Sequence, residues 1–588
     1  MIRRMGGTTV AAVLLVLAML AYGYPTDVTT NTSLGLVMGK RLERLGLAVE
    51  EYLGIPFAKP PTGGLRFMAP EPAEPWNGTL DARSRRTACP QVFTMPLAFG
   101  GIEHTEDCLH LNVWTLQNRT GEAVPVLAWI HGGGFMEGSS AQRYYNGAVL
   151  AAKTGLVIVS FNYRLGILGF LDANTTQAPG NMGLMDQNVA LKWIRDNIGR
   201  FGGDPAKVTI FGESSGGMSA HAHVISPMSR GLFQRACLMS GTLQGQGFYQ
   251  TVNESMIKGN TIAVKLGCTD NQTNIFTDPD TVVACLRSKN SFELARLAST
   301  IFRPKLFPFL PTFPNVFFPV EPRRAVRQGL FNEADLLVGV TSDEGAIAVM
   351  FPISNEIIPR EFHSGVTGTL FERSIRERVF AWLKADFARP LDAYLPEKKD
   401  RRSLRRGYLD YLTDSLFVCP MHLTAEEMSG KEHSVYTYVF GHRSKKSTLP
   451  AWMGTPHGWD IGYTFGMPLV DRVRFTPQDV NVSQVVITAL STFASTGNGA
   501  KGEGHTTRRE AGRQVCSSSS FQVQVFHKDD PEGSFKNVRC VSLLFSQVHS
   551  LEEVRKLLKK AQHLYGRLCY CPRWNKVGPG HSFLDKSA

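Results

Sequence analysis

Val208-Thr209-Ile210-Phe211-Gly212-Glu213-Ser214-Ser215-Gly216-Gly217-Met218-Ser219-Ala220-His221-Ala222 runs from a β-prone apolar segment, through a G-x-S-x-G turn, into a small-residue segment suited to a helix start. In that arrangement a serine sits on a strained strand-to-helix turn with its Oγ held out of the sheet. The bare pattern is weak evidence. Gly is 56 of 588 residues, and with Ser at about 7% chance alone gives roughly 0.4 such hits in a chain of this length. The strand before it and the helix start after it supply the context that the pattern requires, so Ser214 is the expected nucleophile.

Outward from this turn, Pro125–Ile130, Leu156–Ser160 and Leu336–Val340 are short continuous apolar runs that read as buried strands, and a further strand is expected over Ser434–Phe440. Between Leu156–Ser160 and the strand Val208–Phe211 lies a helix expected over Asp186–Ile198, with Leu184, Val189, Leu191, Trp193 and Ile194 on its apolar side. The order strand, helix, strand predicts an α/β fold with a doubly wound, mostly parallel sheet flanked by helices. With no internal repeat and no Gly/Ser linker before about residue 497, the body reads as one large domain with helical insertions.

A serine nucleophile needs donors for a developing oxyanion and a base held by a carboxylate. His131-Gly132-Gly133-Gly134-Phe135 follows the strand ending at Ile130, and the amides of Gly133, Gly134 and Ser215 are the expected donors. In chain order after the serine come Glu344, just past the strand Leu336–Val340, and His457, in Pro456-His457-Gly458. Asp343 is the rival acid, and His422 and His442 are rival bases.

The ends differ from the body. Arg3 and Arg4 precede an apolar run from Val10 to Leu20, with small residues Ala21 and Gly23 behind it, so residues 1–23 read as a secretory signal peptide. Residues 24–500 form the expected catalytic domain and 501–588 a basic C-terminal segment, with an amphipathic helix expected over Leu551–Tyr565. That last segment carries 15 basic and 8 acidic residues, hence +7 of the chain's net +12. The body has no basic stripe, which argues against nucleic acid as a partner. Ten cysteines without a CxxC pair fit an oxidising compartment, with Cys89/Cys108 and Cys268/Cys285 spaced to close short loops. Sequons stand at Asn31, Asn77, Asn118, Asn174, Asn253, Asn271 and Asn481. No later run is long and apolar enough to span a membrane, and no metal or cofactor is expected.

Further motifs lie in the same order along the chain. They are Gly54-Ile55-Pro56-Phe57-Ala58, Glu106-Asp107-Cys108-Leu109-His110-Leu111-Asn112-Val113, Phe161-Asn162-Tyr163-Arg164-Leu165-Gly166, Gly180-Asn181-Met182-Gly183 and Trp452-Met453-Gly454-Thr455-Pro456-His457-Gly458. On these the chain resembles the type-B carboxylesterase/cholinesterase-like α/β-hydrolases over roughly residues 50 to 497. The resemblance implies Ser214 as nucleophile, Glu344 as triad acid and His457 as base, agreeing with the residue-level choice. It also implies disulfides Cys89–Cys108 and Cys268–Cys285, a third from Cys419 to a late cysteine, and scaffold ion pairs Arg66–Glu106 and Arg164–Asp186. Glu213, Phe307 and Phe309 are assigned to the substrate pocket.

The chain departs from the cholinesterase branch at the cation site. The loop from Cys89 to Cys108 holds Phe93 and Phe99 but no tryptophan, and Ile347 and Ala348 follow the triad acid where aromatic residues are expected. The expectation is therefore a secreted serine esterase acting on small-molecule esters, preferring neutral over choline esters; a homo-oligomer is compatible with it. The alternative is a non-catalytic adhesion or partner-binding ectodomain on the same scaffold.

Overall fold

The computed structural model describes residues 27–84, 87–92, 102–117, 121–245, 247–270, 272–301, 307–347, 394, 396, 400–429, 434–498, 521–526 and 541–542. The signal segment, Phe93, Phe99, Ala348, the helix expected over Leu551–Tyr565 and most of 501–588 lie outside the described residues.

One sheet of 13 strands organises the chain. In sequence order the strands are β1 (Asp27–Asn31), β2 (Leu36–Arg44), β3 (Leu47–Pro56), β4 (Thr79–Asp81), β5 (His110–Leu116), β6 (Val124–Ile130), β7 (Val157–Phe161), β8 (Gly203–Glu213), β9 (Arg235–Met239), β10 (Asp335–Thr341), β11 (Val435–Phe440), β12 (Phe521–Phe526) and β13 (Val541–Ser542). Across the sheet they lie in the order β1-β2-β3-β5-β7-β6-β8-β9-β10-β11-β12-β13, with β4 paired to β2. The run from β7 to β11 is parallel throughout. Antiparallel ribbons extend it at both sides.

Neighbouring side chains on the parallel strands enter two separate cores, which explains why these strands are apolar without alternation. Val126, Ala128 and Ile130 of β6 point into the larger core, as do Ala236 and Leu238 of β9, whereas Leu127, Trp129, Cys237 and Met239 enter the smaller one. The larger core is covered by α2 (Met182–Asn197), α3 (Ser215–Ile225) and α4 (Arg401–Thr413), with α5 (Cys419–Met428) beside them. The smaller core is covered by α1 (Ala148–Thr154) and α6 (Pro477–Thr496). Every strand and helix expected in the body is present, with ends moved by a few residues. The helix expected from Asp186 begins at Met182, because Asn181 enters it in a left-handed conformation (φ 54°) without a side-chain cap. No helix among the described residues is long and apolar enough to cross a membrane.

The scaffold contacts implied by the resemblance are formed. Arg164 grips Asp186 with Nε at 2.9 Å and Nη2 at 2.7 Å, both side chains buried, and Arg66 forks onto Glu106 at 2.7 and 2.6 Å. Cys89–Cys108 and Cys268–Cys285 are bridged, and Cys419 is disulfide-bonded to a cysteine outside the described residues.

Helix α3, which follows the nucleophile turn, is buried along its whole length and carries two histidines. His223 lies 2.7 Å from Ser229 Oγ and 2.9 Å from Gln187 Oε1, while the amide of Leu243 donates to His221 Nδ1 at 2.9 Å. Burial pushes both imidazoles down to about 3. Each is therefore neutral in the folded chain and takes up a proton on unfolding below its free value of about 6.5. Stability from these residues is complete above about pH 6.5 and is lost as pH falls toward about 3, at roughly 1.4 kcal/mol per pH unit for each histidine. His223→Gln should make the fall of unfolding free energy between about pH 6 and 4.5 shallower by about that amount, measured by urea titration. An unchanged slope would contradict the assignment of His223 as a buried neutral base.

Candidate active site

All candidate groups gather at the carboxyl ends of the parallel strands, where open α/β sheets place their binding crevices. The glycine loop follows β6, Ser214 follows β8, Ser240 follows β9, Glu344 follows β10 and His457 lies beyond β11. Ser214 has φ 59° and ψ −125°, a conformation that a residue other than glycine adopts only when its surroundings impose it. Its amide donates to the Met239 carbonyl at 2.9 Å and its carbonyl accepts from Met218 at 2.9 Å, which locks the turn between β9 and α3. Gly216 is required by contact: a Cβ there would stand 2.1 Å from the Ile130 carbonyl oxygen. The two glycines flanking the serine thus let the turn sit directly on the end of β6, beside the glycine loop. Among the described residues the amides of Gly133, Gly134 and Ser215 make no hydrogen bond, so three donors remain available around the serine.

His457 Nδ1 lies 2.5 Å from Glu344 Oε2, with the imidazole and the carboxylate both buried. The other oxygen of Glu344 accepts from Ser240 Oγ at 2.5 Å and from the Thr341 amide at 2.6 Å. These bonds hold the carboxylate with one oxygen facing the ring. His457 Nε2 lies 3.0 Å from Glu213 Oε1, and neither atom has a hydrogen-bond partner among the described residues. The sequence rivals are used elsewhere. Asp343 contacts Thr455 and Arg406, His442 lies 2.7 Å from Asp479, and His422 faces Glu426 on its own helix.

The pocket residues divide. Phe307 is half-buried, and a Cβ on Gly134 would meet its ring at 2.4 Å, so this ring covers the glycine loop. Phe309 has no exposed surface and belongs to the larger core. Three contributors went unread in the sequence. The Phe417 ring lies 4.8 Å from the His457 ring and comes from a π-helical turn, Asp414–Val418, a local widening that often marks functional positions. Ser240 carries a positive φ of 50° at the end of β9, and small residues at a strand's carboxyl end are the signal that could have found it. Asp460, three residues past His457, is buried and lies 3.3 Å from the Tyr438 hydroxyl.

Two carboxyl groups therefore contact one imidazole, and a third, Asp460, lies near enough to act on its charge. Burial pushes Glu213 up to about 8 and, helped by the charge of Glu344, Asp460 up to about 7. Burial alone would depress His457, but Glu213 and Glu344 outweigh it and push it up to about 9. Glu213 and His457 lie close enough for their titrations to be coupled, so the two protonation steps belong to the pair. An imidazole held by a carboxylate in this way can act as a general base, with the carboxylate stabilising the imidazolium. No group of three or more His, Cys, Asp or Glu among the described residues is placed to hold a metal ion. The expected consequence is that kcat/KM for a neutral ester rises with pH, with its midpoint near about pH 9. In Glu213→Gln, which removes an anion that favours the imidazolium, the rise should move to lower pH by about one unit. A rise that stays in place, or moves upward, would show that Glu213 does not set the proton affinity of His457.

The sequence model of the Carboxylesterase family matches residues 26–525 of the chain. Acetylcholinesterase of Bungarus fasciatus is 38% identical over 493 residues, 81% of this chain and 79% of the relative. Acetylcholinesterase of Electrophorus electricus is 35% identical over 525 residues, with 80% of each chain covered. Together with the α/β sheet and the groups assembled at its carboxyl edge, these matches establish that the chain belongs to the carboxylesterase family of α/β-hydrolases.

Proposed function

We propose that this protein is a secreted serine esterase that cleaves carboxylic esters through an acyl-enzyme and prefers neutral esters to choline esters. The observation that carries the mechanism is the 2.5 Å contact between His457 Nδ1 and Glu344 at the strand edge that also presents Ser214. In this reading His457 takes the proton of Ser214 as Oγ attacks the ester carbonyl, and the amides of Gly133, Gly134 and Ser215 receive the oxyanion. The proton then passes from His457 to the departing alkoxide, and the acyl group stays on Ser214. Water, deprotonated by the same imidazole, releases the acid and restores the serine. Removal of residues 1–23 and export through an oxidising compartment accord with the two closed disulfides.

The preference for neutral esters rests on two observations. The loop between Cys89 and Cys108 contains no tryptophan to face a quaternary ammonium. Ile347, three residues past Glu344, stands where an aromatic residue is expected in the cholinesterase branch. The similarity to two acetylcholinesterases favours choline esters as the second reading.

Ser214→Ala should lower kcat on p-nitrophenyl acetate by at least about 10³-fold while leaving thermal unfolding unchanged. Hydrolysis near the unsubstituted rate would favour a binding scaffold without this chemistry. Between acetylthiocholine and a neutral thioester of similar size, kcat/KM should be equal or higher for the neutral compound, because a missing cation–π face withholds about 0.5 to 2 kcal/mol. A preference of about a hundredfold for the choline ester, roughly 2.7 kcal/mol, would make this a cholinesterase.

A further inference from the structure

Asp343, one position before Glu344, is buried and tied to the loop that carries His457. The Thr455 amide donates to Asp343 Oδ2 at 2.9 Å, and the Asp343 amide donates to the Thr455 carbonyl at 3.1 Å. Two opposed bonds thus join residue 343 to residue 455, one residue from the acid on one side and two from the base on the other. Ser342 Oγ donates to the same carboxylate oxygen at 2.5 Å. Gly454 stands between them at φ 61°, where a Cβ would lie 2.2 Å from the Asp343 carboxylate, so only glycine lets the two loops close to this distance. On its far side the Gly454 carbonyl accepts from Arg443 Nη1 at 2.7 Å.

The remaining oxygen of Asp343 is taken by Arg406. Nη1 of this residue lies 2.5 Å from Asp343 Oδ1, and Nη2 holds Asp410 one turn along α4. The same helix supports the acid loop directly: the Gly345 amide donates to Thr413 Oγ1 at 2.9 Å, and a Cβ on Gly345 would meet the Leu409 carbonyl oxygen at 2.2 Å. The Asp343 carboxyl is held below its ordinary range, since Arg406 and the bonds from Ser342 and Thr455 outweigh burial. Helix α4 and the two loops are therefore one fastened unit, with Arg406 as its outer latch, its side chain 40% exposed.

We propose that Asp343 and Arg406 are positioning residues that fix the separation of the Glu344 and His457 loops, and so the alignment of the base with Ser214. The proposal rests on the esterase reading. Misplacing a catalytic group by about 1 Å can cost about a hundredfold in rate, so loosening one of several restraints is expected to cost less than that.

The test is kcat per active site, with sites counted by the burst of p-nitrophenol on acylation, for Asp343→Asn, Arg406→Gln, Arg406→Lys and the double variant Asp343→Asn/Arg406→Gln. A role confined to stability would reduce the number of competent sites and leave their turnover unchanged. The clamp predicts that Asp343→Asn and Arg406→Gln each lose about tenfold in kcat per titrated site, with KM within about twofold. Arg406→Lys, which keeps a cation for Asp343, should recover most of the loss, and the double variant should be no worse than the poorer single variant, because both open the same latch. Turnover per site within about twofold of the unsubstituted protein in Arg406→Gln would overturn the proposal, and this variant serves even if Asp343→Asn fails to fold. An unsubstituted protein that neither gives a burst nor turns over p-nitrophenyl acetate would instead overturn the esterase reading, a result distinct from variants that match an active parent.

Discussion

The bond between His457 and Glu344 depends on a constraint set by the sheet. Parallel strands end on one side, so β6, β8, β9 and β10 deliver the glycine loop, Ser214, Ser240 and Glu344 to one edge. β8 and β10 are separated by β9 alone, and two inter-strand spacings of about 4.8 Å leave room for one imidazole between a serine and a carboxylate. The loop beyond β11 supplies that ring. Ser240, at the end of the intervening strand, then holds the carboxylate oxygen that the ring does not use. Strand order along the sheet thus becomes the order of groups in the site.

This arrangement buries more charge than the chemistry first suggests. Glu213 and Glu344 lie against one histidine, and Asp460 is buried nearby, where unpaired carboxylates are costly. The cost is met by protonation at Glu213 and Asp460, both raised toward neutrality, and by hydrogen bonds at Glu344. Glu344 keeps the acceptor role because three donors converge on it: Ser240, the Thr341 amide and His457.

Much of this was legible in the sequence because the signals were local. Continuous apolar runs such as Val126–Ile130 marked strands buried on both faces, and the strand–turn–helix around Ser214 marked the nucleophile. Glu344 could be chosen because it follows a strand end, yet its neighbour Asp343 follows the same end. Only the fold shows that residue 343 reaches Thr455 and Arg406 while residue 344 reaches the ring. Phe417 and Arg406 left no signal, since each reaches the site from a helix far along the chain through tertiary packing. Phe307 and Phe309 read alike in the sequence and separate in space, one over the glycine loop and one in the core. The flanking strands β1, β2 and β4 left little signal because they bury their residues unevenly and carry no continuous apolar run.

The central claim is that the strand edge makes Ser214 nucleophilic through His457. Covalent trapping tests it most directly: a fluorophosphonate reacts with a serine only where a neighbouring base and oxyanion donors activate the hydroxyl. After labelling of the folded protein and peptide mass spectrometry, the account predicts a single phosphonyl adduct on Ser214, absent after denaturation and strongly reduced in His457→Ala. An adduct on another serine, or equal labelling of folded and denatured chains, would contradict it.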